Sequence, residues 1–410
     1  MRATLPPTGE AWPELEARMA AMGGGDIDWR HGRAAVYVFN AGEDIERVQK
    51  GAYTLYMAEN GLGPSAFPSL KGMEEAVIGY GLSLLHAPED AAGSITSGGT
   101  DSITMAMKAA RDVARQVRGV TGPLNIVLPR SAHLAFDKAA ALMEIEVRRT
   151  ALKGLLADPA AMDAAADGHT IMIVGSAPCF PYGLIDPIAE LGALAQARNL
   201  WLHVDACVGG YAAPFVRMNG GDIPPFDFEV AGVSSMSADL HKYGFCAKGA
   251  STVLFRSQEL WKRMVFDFRD WPGGRMVTPT LAGTRPGGAI AAAYAVMNYL
   301  GVEGYRARHK RVTDARETIE AGLRQRGYAV QGRPQLGLIA YGGMPSVPAL
   351  WAKLRERGWF TSTTSEPPGL HLMLSPVHAE VAQTYLDDLD WASKELGAAP
   401  SGGEAARYGG

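Results

Sequence analysis

Short apolar runs alternate along this chain with amphipathic stretches, and run after run ends at a polar residue. Leu124–Pro129 precedes a helical pattern over 132–142, and 171–175 precedes another over 186–197; Trp201–Asp205, 230–235 and 252–255 continue the series. Alternation of strand and helix predicts an α/β domain on a mostly parallel sheet, with ligands at the carboxyl ends of the strands. His133 follows the first of these strands, Asp205 closes Trp201-Leu202-His203-Val204, and Lys242 follows the run over 230–235. A buried carboxylate is costly unless donors or a cation meet it, so Asp205 needs a partner. Lys242 needs an explanation of another kind. An ordinary lysine, with a pKa of about 10.4, is protonated near neutrality and becomes a nucleophile only when desolvation or a nearby cation releases its proton.

The turn Ser97-Gly98-Gly99-Thr100 opens a helix with Ile103, Ala106, Met107, Ala110 and Val113 on one face. Free backbone N–H groups make such an opening an anion cradle, and Thr100 adds a hydroxyl. The helix dipole itself contributes only about 0.3–1 kcal/mol. Upstream, 10–22 reads as an amphipathic helix stopped by Gly23-Gly24-Gly25. A second helical pattern holds Ile45, Val48, Ala52, Leu55 and Tyr56, and the Gly- and Pro-rich loop before Phe67-Pro68 takes a fixed path. Downstream, a long helical stretch from Ala289 leads through 306–327 to strands at 328–330, 336–340 and 371–374, with helices at 347–358 and 385–396. This predicts a second, smaller α/β domain. The expected division is 1–70 as an N-terminal helical segment or dimer arm, 71–300 as the large domain, 301–396 as the small domain and 397–410 as a disordered tail.

Composition narrows the function classes. With 410 residues, 47% of them hydrophobic, the chain can bury two packed lobes. A net charge of -4 from 39 basic and 43 acidic residues leaves no footprint for nucleic acid or an anionic membrane surface. Cys179, Cys207 and Cys246 fit neither a zinc site nor a disulfide framework, which predicts no metal and a reducing compartment. The order of charges in 1–25 is wrong for a secretory signal, and 289–300 is too short to span a bilayer, so a soluble, cytoplasmic protein is expected.

A Gly-Gly-Thr helix opening, a His, an Asp and a Lys, in that chain order, have a joint explanation in pyridoxal phosphate. Its phosphate suits a helix N-terminus, its ring a flat group above it, its pyridine nitrogen a carboxylate and its aldehyde a lysine. Further motifs accompany these: Phe67-Pro68-Ser69-Leu70-Lys71, Thr96-Ser97-Gly98-Gly99-Thr100-Asp101-Ser102, Ser131-Ala132-His133, His203-Val204-Asp205-Ala206-Cys207, Ser237-Ala238-Asp239 with His241-Lys242-Tyr243-Gly244, Lys248-Gly249, and Ala282-Gly283-Thr284-Arg285-Pro286-Gly287-Gly288. Together they resemble the fold-type I pyridoxal-phosphate enzymes, in the group II decarboxylase branch, and within it most closely the sphingosine-1-phosphate lyases.

The resemblance implies that Lys242 bonds the cofactor aldehyde, that Asp205 pairs with the pyridine nitrogen, and that His133 and Cys207 lie on opposite ring faces. Gly98, Gly99, Thr100 and His241 would hold the phosphate. Thr284 stands where the family has a serine that reaches the neighbouring subunit's phosphate, which implies a homodimer with shared sites. Lys248 matches a second active-site lysine, and Tyr37 and Tyr182 fall at substrate-side positions. The implied reaction is C2–C3 cleavage of a phosphorylated 2-amino alcohol; the alternative is amino-acid decarboxylation, because the same electron sink serves both. An idle cofactor-binding protein is a third reading, opposed by the intact Lys242 and Asp205. The family's Asn-x-Leu-His-x-Asp-x-Phe-Pro run departs here, as Asn60-Gly61-Leu62-Gly63-Pro64-Ser65-Ala66-Phe67-Pro68, without the His or the Asp.

Overall fold

The computed structural model describes residues 2–396, so the expected disordered tail lies outside the described residues. Helices α1 (Trp12–Met22), α2 (Glu43–Leu55) and α3 (Pro68–Leu84) lead into β1 (Ala92–Thr96) and α4 (Gly99–Gln116). There follow β2 (Leu124–Pro129), α5 (Ala135–Met143), β3 (Ile145–Thr150), the small hairpin β4 (Leu152–Lys153) and β5 (Leu156–Ala157), α6 (Pro159–Ala165) and β6 (Thr170–Ser176). Next come α7 (Ile188–Arg198), β7 (Trp201–Asp205), α8 (Ala213–Met218), β8 (Val233–Ala238) and β9 (Ser251–Phe255). After α9 (Gln258–Lys262), the hairpin β10 (Phe266–Phe268) and β11 (Met276–Thr278) precedes α10 (Gly287–Gln325). The chain closes with β12 (Ala329–Val330), β13 (Leu338–Gly342), α11 (Val347–Glu356), β14 (Ser362–Ser365), β15 (Pro368–Met373) and α12 (His378–Glu395).

The main sheet has seven strands in the order β1-β9-β8-β7-β6-β2-β3. Only β9 runs antiparallel to its neighbours; the remaining pairings are parallel. This is the expected layered α/β fold, with helices on both faces of the sheet. Coverage on both faces explains why β2, β6 and β7 are buried along their whole length and read as continuous apolar runs. Full burial of a side chain such as Leu202 or Val204 stabilises the sheet by about 1.5–3 kcal/mol. Helix α4 lies close on the sheet because Ala106, Ala109 and Ala110, all buried, keep its inner face thin. A second sheet, antiparallel in the order β12-β13-β15-β14, forms the smaller lobe.

Several elements differ from the sequence expectations for identifiable reasons. The strand expected over 230–235 begins three residues later, at Val233. Gly232 is pressed against α7, where an added Cβ would lie 2.2 Å from the Gly192 carbonyl oxygen, so 230–232 pack as a turn. Strands β1 and β3 went unseen: β1 is short and contains Gly93, and β3 carries Glu146, Arg148 and Arg149. Helix α1 forms, but none of its residues is buried and Trp12 is 59% exposed, so its apolar face is uncovered in the single chain. The two downstream helical stretches are distinct, as expected: α10 breaks at Gly301, whose φ of +53 takes the backbone out of helix. Among the described residues, no helix is long and apolar enough to cross a membrane.

Buried histidines give the fold a pH dependence. His203, His309, His371 and His378 are completely enclosed, and burial pulls each pKa down to about 4. Between the unfolded value near 6.5 and about 4, the unfolded chain binds protons that the native chain refuses, so stability is present above pH ~6.5 and is lost as pH falls. Asp186, pushed up to about 6 by burial, acts in the opposite sense and offsets part of this. The urea midpoint should therefore fall clearly from pH 7 to pH 5, at about 1.4 kcal/mol per pH unit for each uncompensated histidine. A midpoint that is flat or rises over that interval would contradict the assignment.

Candidate active site

Strand β7 ends at Asp205, in register with Ser176 of β6 on one side and Ser237 of β8 on the other. Its carboxylate is buried, and Oδ1 accepts from the Cys207 amide at 3.1 Å and from the Ser237 hydroxyl at 3.3 Å. Ser237 belongs to a polar ladder across β7 and β8. His203 Nε2 lies 3.2 Å from the Ser237 hydroxyl, His203 Nδ1 lies 2.8 Å from the Ser235 hydroxyl, and Trp201 Nε1 donates to Ser235 at 2.7 Å. Sequence reasoning missed this support, although the i, i+2 spacing of Trp201, His203 and Asp205 beside Ser235 and Ser237 could have shown it.

Beyond β8 the chain turns through Asp239, His241 and Lys242. Lys242 Nζ lies 3.0 Å from Asp239 Oδ2, and His241 Nε2 lies 3.8 Å from the same oxygen. Burial opposes the charge on Asp239, but Lys242 and His241 outweigh it and hold the carboxyl below the usual range. Asp239 Oδ1 and His241 Nδ1 are buried without a hydrogen-bond partner among the described residues. Asp239 was seen only as part of a motif, with no role of its own. It fixes the turn and limits what can stand opposite. A Cβ on Gly99 would come within 2.8 Å of Cys207 Sγ and 3.0 Å of Asp239 Oδ2, so the opening of α4 approaches this closely only as glycine. Gly98 supplies no side-chain cap, and the first amides of α4 are left for a ligand.

His133 sits on the turn after β2. Arg149 of β3 clamps that turn by donating to the carbonyls of Pro129 at 3.3 Å, Arg130 at 3.1 Å and Ala132 at 3.1 Å, and it pairs with Asp137 of α5. The Ala135 amide donates to His133 Nδ1 at 3.1 Å. Burial pushes the imidazole pKa down, with the Asp205 charge pulling against it. Phe180, from the loop after β6, stands edge-on to His133 with ring centroids 6.4 Å apart. No sequence signal marked Phe180.

These side chains enclose a cavity of about 370 Å³. Gly98, Gly99, Thr100, His133, Asp205, Cys207, His241 and Lys242 all line it, together with Asp239 and Phe180. Lys248, Tyr37, Tyr182 and Thr284 are not on its wall. Lys248 is next to it: Nζ donates to the Tyr37 carbonyl at 2.9 Å and the His241 carbonyl at 3.4 Å, and lies 5.3 Å from the Phe39 ring centroid. Desolvation of that ammonium, with the Lys242 charge nearby, brings its pKa down to about 8. Tyr37 holds a left-handed backbone, φ +66, which is strained for a tyrosine. Tyr182 donates to the Glu366 carbonyl in an adjoining cavity. Thr284 is exposed on a loop whose next residue, the buried Arg285, pairs with Glu74 and donates to the carbonyls of Ile95 at 3.1 Å and Gly61 at 3.0 Å.

The donor set suits pyridoxal phosphate. An uncapped helix opening stands beside His241, a fixed carboxylate closes β7, an imidazole lies to one side, and a lysine meets a buried counter-ion. The description "Pyridoxal-dependent decarboxylase conserved domain" matches residues 28–341. The chain belongs to this family. Pyridoxal phosphate is accordingly its cofactor. Among its relatives, the sphingosine-1-phosphate lyase of Oryza sativa subsp. japonica is 39% identical over 94% of this chain and 74% of the rice protein. A probable L-tyrosine/L-aspartate decarboxylase of Methanocella arvoryzae is 38% identical over 80% of this chain and 84% of its own length. The solved sphingosine-1-phosphate lyase of Burkholderia pseudomallei superposes with a TM-score of 0.92 at 33% identity, covering 96% of this chain and 93% of that one.

For this decarboxylase-family chain, Gly99→Ala should cut cofactor affinity at least tenfold, measured by absorbance titration of the stripped protein with pyridoxal phosphate. The added methyl must displace Cys207 Sγ and the Asp239 carboxylate together. Unchanged affinity would mean that the close approach of α4 is unimportant.

Proposed function

We propose that this chain is a pyridoxal-phosphate-dependent aldehyde lyase that cleaves the C2–C3 bond of a phosphorylated, long-chain 2-amino alcohol, releasing a fatty aldehyde and phosphoethanolamine. Pyridoxal phosphate, when bound, supplies the electron sink for the pair released as that bond breaks. Lys242 would hold its aldehyde carbon, Asp205 would meet the pyridine nitrogen, His133 and Cys207 would flank the ring, and the amides at Gly98, Gly99 and Thr100 would hold the phosphate with His241.

The observation that carries the reading is Lys248. Releasing an aldehyde requires removal of the C3 hydroxyl proton, whereas losing CO2 requires no base at that oxygen. Lys248, with Nζ 3.4 Å from the His241 carbonyl and its pKa brought down to about 8, is roughly one-tenth neutral at pH 7 and is the base this reading assigns to that proton. The decarboxylase alternative is favoured by one feature, the 60–68 loop without the family's His and Asp, which leaves a phosphate head group two fewer contacts. The reading also includes work in the cytoplasm, supported by the three buried, unpaired cysteines. It divides the chain at about residue 300, supported by the helix break at Gly301.

Side-by-side assays decide the reaction. A long-chain sphingoid phosphate should yield aldehyde, and aromatic and acidic amino acids should yield no CO2. Lys248→Met should keep the cofactor but lose at least about a hundredfold in aldehyde release. CO2 from an amino acid, with no aldehyde from the phosphate, sinks the lyase in favour of the decarboxylase.

The reading further makes the active unit a homodimer in which Thr284 completes the partner's phosphate site. Its support is the exposure of Thr284 on a loop pinned from behind by Arg285. Inactive Lys242→Ala chains mixed with inactive Thr284→Trp chains should regain activity, because one site of each mixed dimer collects both defects and the other neither. Verified mixed dimers that remain inactive rule out a shared site.

A further inference from the structure

The cofactor pocket adjoins a second cavity of about 580 Å³, and His133 and Phe180 line both. Leu134, Leu152 and Leu155 form much of its apolar lining, and Ser131, Thr363, Thr364 and Ser365 add hydroxyl groups to the same wall. Beneath it, Leu152, Leu155 and Leu156 pack with Cys179, Tyr182 and Leu184 in an apolar cluster separate from the main core. Leu134, immediately after His133, is 66% exposed. Leu155 holds a left-handed backbone, φ +69, beside Gly154 at φ +62 in the turn between β4 and β5. That turn favours glycine at both positions, and a leucine kept there against its preference is the kind of strain found at ligand clamps. At the rim, Arg130 pairs with Glu366 at 2.6 Å, so the only Arg or Lys on this wall among the described residues is already neutralised.

We infer that this second cavity seats the hydrocarbon chain carried on C3 of the substrate, with Leu134 and Leu155 setting the length accepted. The inference rests on the aldehyde-lyase reading. Carbon C2 of such a substrate bears the amine and two arms. The C1 arm ends in an anion, which gains nothing from the leucine side chains of this wall. The C3 arm is hydrocarbon, and from the cofactor pocket it reaches the second cavity past the shared wall of His133 and Phe180. Each methylene it buries raises affinity about fourfold.

Calorimetric titration of the holoenzyme with n-alkylamines, from hexylamine to dodecylamine, tests the seat without turnover. Affinity should rise about fourfold per methylene until the cavity is filled. Leu134→Glu places a carboxylate at an exposed position on that path, and its loss should be at least tenfold greater for dodecylamine than for hexylamine. Leu155→Gly, which relieves the backbone while removing the side chain, should also flatten the rise. Affinity independent of length in the unaltered enzyme, or equal losses for both amines in Leu134→Glu, overturns the seat. Aldehyde release is scored separately. Length-dependent amine binding without aldehyde from any phosphorylated amino alcohol supports the seat and overturns the lyase reading.

Discussion

A carboxylate held out of water at the end of a central strand is the constraint on which this molecule depends. An unpartnered buried charge costs several kcal/mol, and it neutralises itself unless the fold supplies donors. Asp205 receives them from the two directions that a central parallel strand allows, the amide of Cys207 two residues on and the hydroxyl of Ser237 on the neighbouring strand. Register is therefore set by chemistry as well as by hydrophobic pattern. A one-residue slip of β8 would turn Ser235 and Ser237 to the other face and strand His203 along with Asp205.

The same economy organises the turn after β8. Lys242 and His241 share the carboxylate of Asp239, which packs against the opening of α4, so the lysine and that helix opening are positioned by one buried group. On the far side of the pocket, Arg149 holds three carbonyls of the turn that presents His133. Neither Asp239 nor Arg149 is needed to name the cofactor. Both are needed for His133, Lys242 and the helix opening to meet in one cavity.

Outside the pocket, the two lobes are tied by contacts that also touch the site. Tyr243, next to Lys242, donates to the Leu374 carbonyl at 2.6 Å, and Tyr182 donates to the Glu366 carbonyl. The 60–68 loop is anchored through Arg285, which donates to the Gly61 carbonyl, and through its own Asn60, whose Oδ1 accepts from the Leu62 amide at 3.0 Å. The loop thus keeps a fixed position without the His and Asp that the lyase resemblance implied.

The sequence by itself determined the layered α/β fold, because strand and helix periodicities are local and survive without any contact being known. It also marked the ends of β2 and β7, where polar residues interrupt apolar runs, and with them His133 and Asp205, and it put the lysine-bearing turn after β8 although it ended that strand three residues early. Tertiary structure alone decided the rest. Phe180 comes from an irregular loop with no periodic signal, and it reaches the pocket only because β6 and β7 are neighbours. Tyr182 lies two residues further along yet stands in the adjoining cavity. The apolar face of α1 was legible, but what covers it was not, since periodicity says that a face is apolar and not what it meets. The start of β8 was misread because the backbone of Gly232 must pass against Gly192, a contact between residues forty apart whose cause is steric and leaves no trace in the local pattern.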